Sequence, residues 1–331
     1  MWITTSTTCL ICLTAIMGLP STAATAQTAV NYPSKVVRIV LPYVPGGSGT
    51  VIARTFAEKF SKELGQNFIV DNRPGGNTII GTEAVAHSAP DGYTLLATTA
   101  ALIVNQWTQP SLSYDTLRDL TGVSTLIWGD HMFAVNPSVP ANNLKELIAY
   151  LKNNPGKVNA YTSGLGTNNH LENLLFMQLT DTKYTVVPYK GGGAAISDLL
   201  SGTLQMALNT PSLFAPHIRA GKLRGIAIGG EKRNAILPDV PTFAELGLRE
   251  LAAAGTWYTL LAPAATPRDI VQKLNEQAAK AQVAADVQAI LAKQGMAPLT
   301  KSVAATNAML RLEMETWGRV IKANDFKAAD E

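Results

Sequence analysis

The chain has 331 residues, 47% of them hydrophobic, and 27 Lys and Arg against 24 Asp and Glu give it a net charge of +3. That mild excess has no basic run behind it, which argues against nucleic acid as a partner. Length and apolar content are sufficient for two cores of roughly 150 residues each.

Residues 1–26 carry no charged side chain, hold an apolar run from Cys9 to Leu19 and end in Ala24-Thr25-Ala26. This pattern predicts a secretory signal cut after Ala26 and an exported chain beginning at Gln27. The run is too short to span a bilayer, and no later stretch is long and apolar enough to do so. The absence of Lys or Arg before the run departs from the usual signal pattern, and Ile11 before Cys12 argues against a lipoprotein site. Both cysteines, Cys9 and Cys12, fall in the segment to be removed. The exported chain is therefore expected to fold by core burial alone, without a disulfide.

Beyond the signal, short β-branched apolar runs alternate with helical patterns, as in α/β sheets covered on both faces. Val36 to Tyr43 reads as a strand that ends in Pro42-Tyr43-Val44-Pro45-Gly46-Gly47-Ser48-Gly49-Thr50 and passes directly into a helix. A glycine-rich turn at a helix start leaves backbone N–H groups unpaired beside the positive end of the helix dipole, which suits an anion. A dinucleotide fingerprint would need a third glycine where Ile52 stands, and a P-loop would need a Lys-Ser/Thr pair that does not follow. A small carboxylate fits better than a nucleotide, beside the plain reading of a tight βα connection.

The first helix repeats Ile52, Phe56, Phe60 and Leu64 every fourth residue and stops at Gly65. Further strands are expected at Phe68–Asn72, Tyr93–Thr98, Met132–Val135, Val158–Thr162, Thr185–Tyr189, Met206–Asn209, Leu223–Ile228 and Trp257–Ala262. Asn143 with Glu146 three residues on predicts the start of a helix that buries Leu144, Leu147, Ile148 and Leu151 and ends at Pro155-Gly156. Thr266 is expected to cap another, with Pro267 at its first helical position. No short-period repeat is present, so the chain is not a solenoid.

Loops after several strands share small, hydroxyl-rich or amide-rich composition: Arg73 to Thr78, Thr98 to Ala100, Thr162 to His170 and Val187 to Gly193. In α/β sheets ligands sit outside the carboxyl ends of the strands, so these loops point to one shared crevice.

With these residues in view the chain resembles the Bug family of periplasmic solute receptors. The resemblance is carried by Tyr32-Pro33-Ser34-Lys35, Pro42 to Arg54, Asp71 to Gly76, Ala89 to Leu95, Val187 to Gly191, Pro216 to Arg224, Leu237 to Thr242 and Leu261 to Pro267, in the family's order. It implies a type II periplasmic binding fold, two α/β domains joined by two crossover strands around a ligand cleft. Mapped here, domain 1 takes residues 27–130 plus 253–331 and domain 2 takes 131–252. The crossovers fall near Ser124–Val135 and Gly255–Ala262. The family serves tripartite tricarboxylate transporters, so the implied partners are a small carboxylate, di- or tricarboxylate or aromatic, and the membrane subunits to which a monomer docks transiently. No cofactor and no metal are implied.

Family position and loop chemistry together nominate Tyr43, Pro45, Gly46, Gly47, Ser48 and Thr50 in the first turn, Thr98 and Thr99, then Ser163, Thr167, Asn168 and His170, and finally Tyr189, Gly191 and Asn209 as ligand contacts. Arg73 and Lys190 are further candidates; an anchor for its own loop is the plainer role of Arg73, and solvent exposure that of Lys190. Two positions depart from the family pattern: Thr50 and Asn209 stand where an Asp is common. Both changes remove a negative charge, which disfavours an amino-acid ammonium and favours a second ligand carboxylate or a neutral group. Tyr43 replaces a usual Phe and adds a hydroxyl.

Two other functions compete. One is a receptor that reports to a membrane sensor kinase. The other is a hydrolase using Ser163 and His170, although Ser163 lacks a Gly-x-Ser-x-Gly elbow and His170 falls at a helix start capped by Thr167 or Asn169. The histidines at 87, 131, 170 and 217 have no metal-ligand spacing. Trp128, Trp257 and Trp317 read as core residues.

Overall fold

Val37–Leu41 forms β1, and the strand stops there because Pro42 has no N–H to give the ladder. A computed structural model of the protein describes residues 1–2, 32–189, 192–324 and 326. Residues 3–31, with Cys9, Cys12 and the expected signal cut, and Lys190 and Gly191 lie outside the described residues. After β1 come α1 (Ser48–Leu64), β2 (Phe68–Asn72), α2 (Ile79–Ala86), β3 (Thr94–Thr98), α3 (Ala101–Thr108), α4 (Thr116–Asp119) and β4 (Leu120–Asp130). The chain then builds β5 (Met132–Val135), α5 (Leu144–Asn153), β6 (Asn159–Thr162), α6 (Asn168–Thr180), β7 (Thr185–Pro188), α7 (Gly192–Ser201), β8 (Met206–Asn209), α8 (Pro211–Arg219) and β9 (Arg224–Ile228). It returns through β10 (Gly255–Pro263), α9 (Arg268–Val283), α10 (Ala285–Lys293), β11 (Ala297–Pro298) and α11 (Val303–Ala323).

Two sheets result. The first has the order β11-β4-β10-β3-β1-β2, with β1 parallel to β2 and β3 and with β10 antiparallel to both β3 and β4. The second has the order β7-β6-β8-β5-β9, with β6 parallel to β7 and β8 and with β5 antiparallel to its neighbours. The chain leaves the first sheet at His131, between β4 and β5, and rejoins it at Gly255. His131 N–H donates to Ala254 O at 3.1 Å, and Gly229 N–H donates to His131 O at 2.7 Å, so the two passages lie side by side.

The first passage between the sheets falls within the stretch expected near Ser124–Val135. It is two strands broken at His131, and the long β4 runs from Leu120. β4 is buried or half-buried along its whole length, so it shows no polar alternation from which its start can be read. β11 is two residues long, too short for any period.

α1 follows its predicted stripe: Ile52, Phe56 and Phe60 are buried and Gly65 closes it by donating to Ser61 O at 3.1 Å. Asn143 caps α5 as predicted, its side chain accepting from Glu146 N–H at 3.0 Å, while Glu146 reaches back to Asn142 N–H at 2.7 Å. α9 corrects the expected cap. Pro267 itself takes the N-cap position with extended backbone, and the Thr266 hydroxyl is buried without a partner. Trp257 is fully buried and Trp317 nearly so. Among the described residues no helix is long and apolar enough to cross a membrane.

Candidate functional site

A cleft of about 580 Å3 lies between the sheets, lined by residues that follow β1, β3, β6 and β8 and by a wall from β10 and the end of α10. Five helices start at it. Ser48 opens α1, Thr99 precedes α3, Thr167 and Asn168 begin α6, Gly192 and Gly193 begin α7, and Thr210 and Ser212 begin α8. None of these five has an acidic residue in its first turn, and no side chain caps α1, α3, α6 or α8. Of the other helices, α4, α5, α9 and α10 carry Asp119, Glu146, Asp269 and Asp286 in theirs, while α2 and α11 carry none. No Asp or Glu is among the described residues that line the cleft. Bare N–H groups and positive dipole ends thus surround a space without carboxylates, the condition for holding an anion.

Hydroxyl and amide side chains fill in between. Tyr43 Oη lies 2.8 Å from Thr99 Oγ1 and 3.4 Å from Thr98 Oγ1, and its ring meets Tyr258 edge-on at 6.2 Å. On the other wall Asn169 is the hub. Its Oδ1 accepts from Thr162 Oγ1 at 3.1 Å, Ser163 Oγ at 3.0 Å and Thr167 Oγ1 at 2.7 Å, while its Nδ2 donates to Leu208 O at 3.1 Å. One amide therefore positions the whole β6–α6 turn. Asn209 ends β8 with its Oδ1 accepting from Thr210 N–H at 2.7 Å and its Nδ2 donating to Tyr161 Oη at 3.2 Å. The start of α7 packs closely here: a methyl on Gly192 would come within 2.6 Å of Asn209 Nδ2 and would have to displace that side chain.

Of the sequence-predicted contacts, Tyr43, Ser48, Thr99, Ser163, Thr167, Asn168 and Asn209 line the cleft. Pro45, Gly46 and Gly47 lie on the exposed side of their turn. Thr50 is buried, its hydroxyl 3.3 Å from the Gly46 N–H, so it braces the turn from within. Thr98 stands behind Tyr43. Tyr189 turns away and donates to Asp198 Oδ2 at 2.6 Å. Arg73 pairs with Asp71 at 2.8 Å, the loop-anchoring role. Sequence reasoning missed His131, Tyr161, Thr210, Ser212, Leu213, Thr256, Tyr258, Lys293, Gln294 and Met296 in the lining. Tyr161 lies inside β6, and Thr210, Ser212 and Leu213 follow β8 at the start of α8; the others come from the crossovers and from the end of α10 and the turn after it, none of which follows a parallel strand.

Ser163 and His170 form no hydrogen bond with each other. Ser163 donates to Asn169, and His170 Nδ1 accepts from Gly166 N–H at 3.2 Å while its ring rests on Phe326. Burial pushes the His170 imidazole down from 6.5 to about 4. Between those values the unfolded chain takes up a proton that the folded chain refuses, so this stability is complete above the unfolded value and is lost as pH falls towards 4. We expect His170→Gln to remove a pH-dependent contribution of up to about 3 kcal/mol. Urea midpoints from pH 7.5 down to 4.5 should fall less steeply in the variant than in the parent; parallel curves would contradict the assignment.

The chain as a whole has counterparts among known proteins. The model of the tripartite tricarboxylate transporter family receptor matches residues 52–326. The chain belongs to this receptor family. Protein BugT of Bordetella pertussis is 35% identical over 320 residues, covering 95% of this chain and 98% of its own. The structure of R. palustris Rpa4515 with adipate is 29% identical with a TM-score of 0.75, covering 89% of this chain and 99% of its own. MatC from Rhodopseudomonas palustris with bound malate is 28% identical with a TM-score of 0.72, covering 88% and 100%. This receptor thus has the periplasmic-binding fold of the Bug type, with mixed α/β layers on two sheets.

Proposed function

We propose that this receptor captures a small carboxylate in the periplasm and delivers it to the membrane subunits of a tripartite tricarboxylate transporter. One observation carries the reading: five helices present uncharged first turns to a cleft in which no described lining residue is acidic. The solved relatives that hold adipate and malate support the same ligand class. Two or three charge-assisted hydrogen bonds at about 1.5–3 kcal/mol each, with up to ~2 kcal/mol from a helix terminus, leave roughly micromolar affinity after ordering costs.

In this reading residues 27–130 with 253–331 form one domain and 131–252 the other, hinged at His131 and Gly255. Closure over the ligand excludes water and changes the outer surface that a membrane partner meets. The chain performs no catalysis. The test is thermal unfolding of the exported chain from Gln27 with mono-, di- and tricarboxylates, aromatic acids, amino acids and nucleotides. A hundredfold excess over Kd of a true ligand adds about 2.7 kcal/mol. A shift with one class of acid, recovered unaltered, is expected; a shift with nucleotides alone, or conversion of the acid, would overturn the reading.

A further inference from the structure

Lys293 is exposed at the cleft mouth and, among the described residues, is the sole Lys or Arg in the lining. Its side chain forms no ion pair and no hydrogen bond with any described residue. Its position is nonetheless fixed. It ends α10, where Gly295 N–H donates to Ala292 O at 3.0 Å and Met296 N–H to Leu291 O at 3.0 Å, the paired bonds of a Schellman turn. Gly295 takes the left-handed φ of +72° that this turn needs. Immediately beyond it, β11 pairs Ala297 with Trp128 of β4, and at the other end of α10 Asp286 is held by Lys59 of α1 at 2.6 Å.

The same turn touches the far wall. A methyl on Gly295 would overlap the Ser212 side chain and lie 3.4 Å from Thr210 Oγ1, both at the start of α8. Lys293 and Gln294 are thereby held opposite the bare N-termini of the second-sheet helices, on a rigid element of the first sheet. The wall they form contains Thr256 and Met296 but no described carboxylate to neutralise the ammonium.

Building on the carboxylate-receptor reading, we propose that Lys293 determines specificity by pairing with a second negative group of the ligand, so that the receptor selects dicarboxylates over monocarboxylates and amino acids. One carboxylate sits among the helix N-termini and hydroxyls. The other reaches the ammonium at the mouth, where Gln294 offers an amide. Asn209 agrees with this charge pattern, because an uncharged amide there leaves no partner for a ligand ammonium.

Lys293 also stands at the negative end of the α10 dipole, a structural role that any cation there can fill. The experiment therefore reads a ratio. Titrate the parent, Lys293→Met and Lys293→Arg with straight-chain diacids of four to seven carbons and with the monoacids of equal length. In the parent the best diacid should bind more tightly than its monoacid. Lys293→Met should weaken the diacid about tenfold and leave the monoacid unchanged. Lys293→Arg should restore the preference. A parent that binds monoacids as tightly as diacids, or a Lys293→Met variant that weakens both alike or neither, overturns the inference and leaves the receptor reading standing. A parent that binds no acid at all overturns both.

Discussion

Replacing Glu172 by alanine is expected to cost about 3–5 kcal/mol of folding stability. Glu172 is completely buried in α6, with Oε2 2.7 Å from His131 Nδ1 and Oε1 accepting from Gly255 N–H at 2.7 Å. Those two partners are the points where the chain passes between the sheets. One carboxylate thus ties both crossovers to the helix whose first turn lines the cleft. Alanine leaves a buried imidazole and a buried backbone N–H without an acceptor and opens a cavity beside them. Glu172→Gln retains one carbonyl acceptor for two donors, so roughly 1–2 kcal/mol is expected. Urea unfolding of both variants checks the order. A loss below about 1 kcal/mol for alanine would mean that water or a rearranged neighbour takes over both bonds, and the clamp would be discarded.

Asn209→Asp is expected to separate stability from binding. The substitution preserves shape and the acceptor for Thr210 N–H, and it sets a negative charge beside the first turns of α7 and α8, where the helix dipoles favour it. Folding stability should hold or rise slightly. A bound carboxylate at roughly 6–8 Å, with an effective dielectric near 20, meets about 2–3 kcal/mol of repulsion, which weakens binding roughly 30- to 100-fold. Ligands bearing an ammonium should gain. Calorimetric titration alongside thermal unfolding measures both quantities. Unaltered affinity for the acid in a stable variant would remove Asn209 from the cleft's electrostatics.

Several strands were legible in the sequence because each is a short apolar run that ends at polar or small turn residues. Phe68–Asn72, Met132–Val135 and Met206–Asn209 match their observed bounds. The stripe of Ile52, Phe56 and Phe60 and the cap at Asn143 were legible for the same reason, a local signal with a local cause. Orientation within a loop was not. Thr50 and Tyr189 have the right chemistry, but the first hydroxyl serves the Gly46 N–H and the second serves Asp198. Nor did the sequence bring Tyr258 and Lys293 to residues more than 150 positions earlier, since that placement depends on β10 lying between β3 and β4. Lys293-Gln294-Gly295 did carry a readable signal. A cation in a last helical turn followed by glycine marks a helix end. What faces that end is decided by the sheet order.

The most direct test of an anion-selective cleft is calorimetric titration of the chain from Gln27 with a diacid of four to seven carbons and with its diamide. The two ligands match in shape and hydrogen-bonding reach and differ in charge. We expect binding in the micromolar range for the acid, weakening as salt is raised, and none for the diamide. Equal binding of both, or of neither, would contradict the claim that bare helix termini and Lys293 select for negative charge.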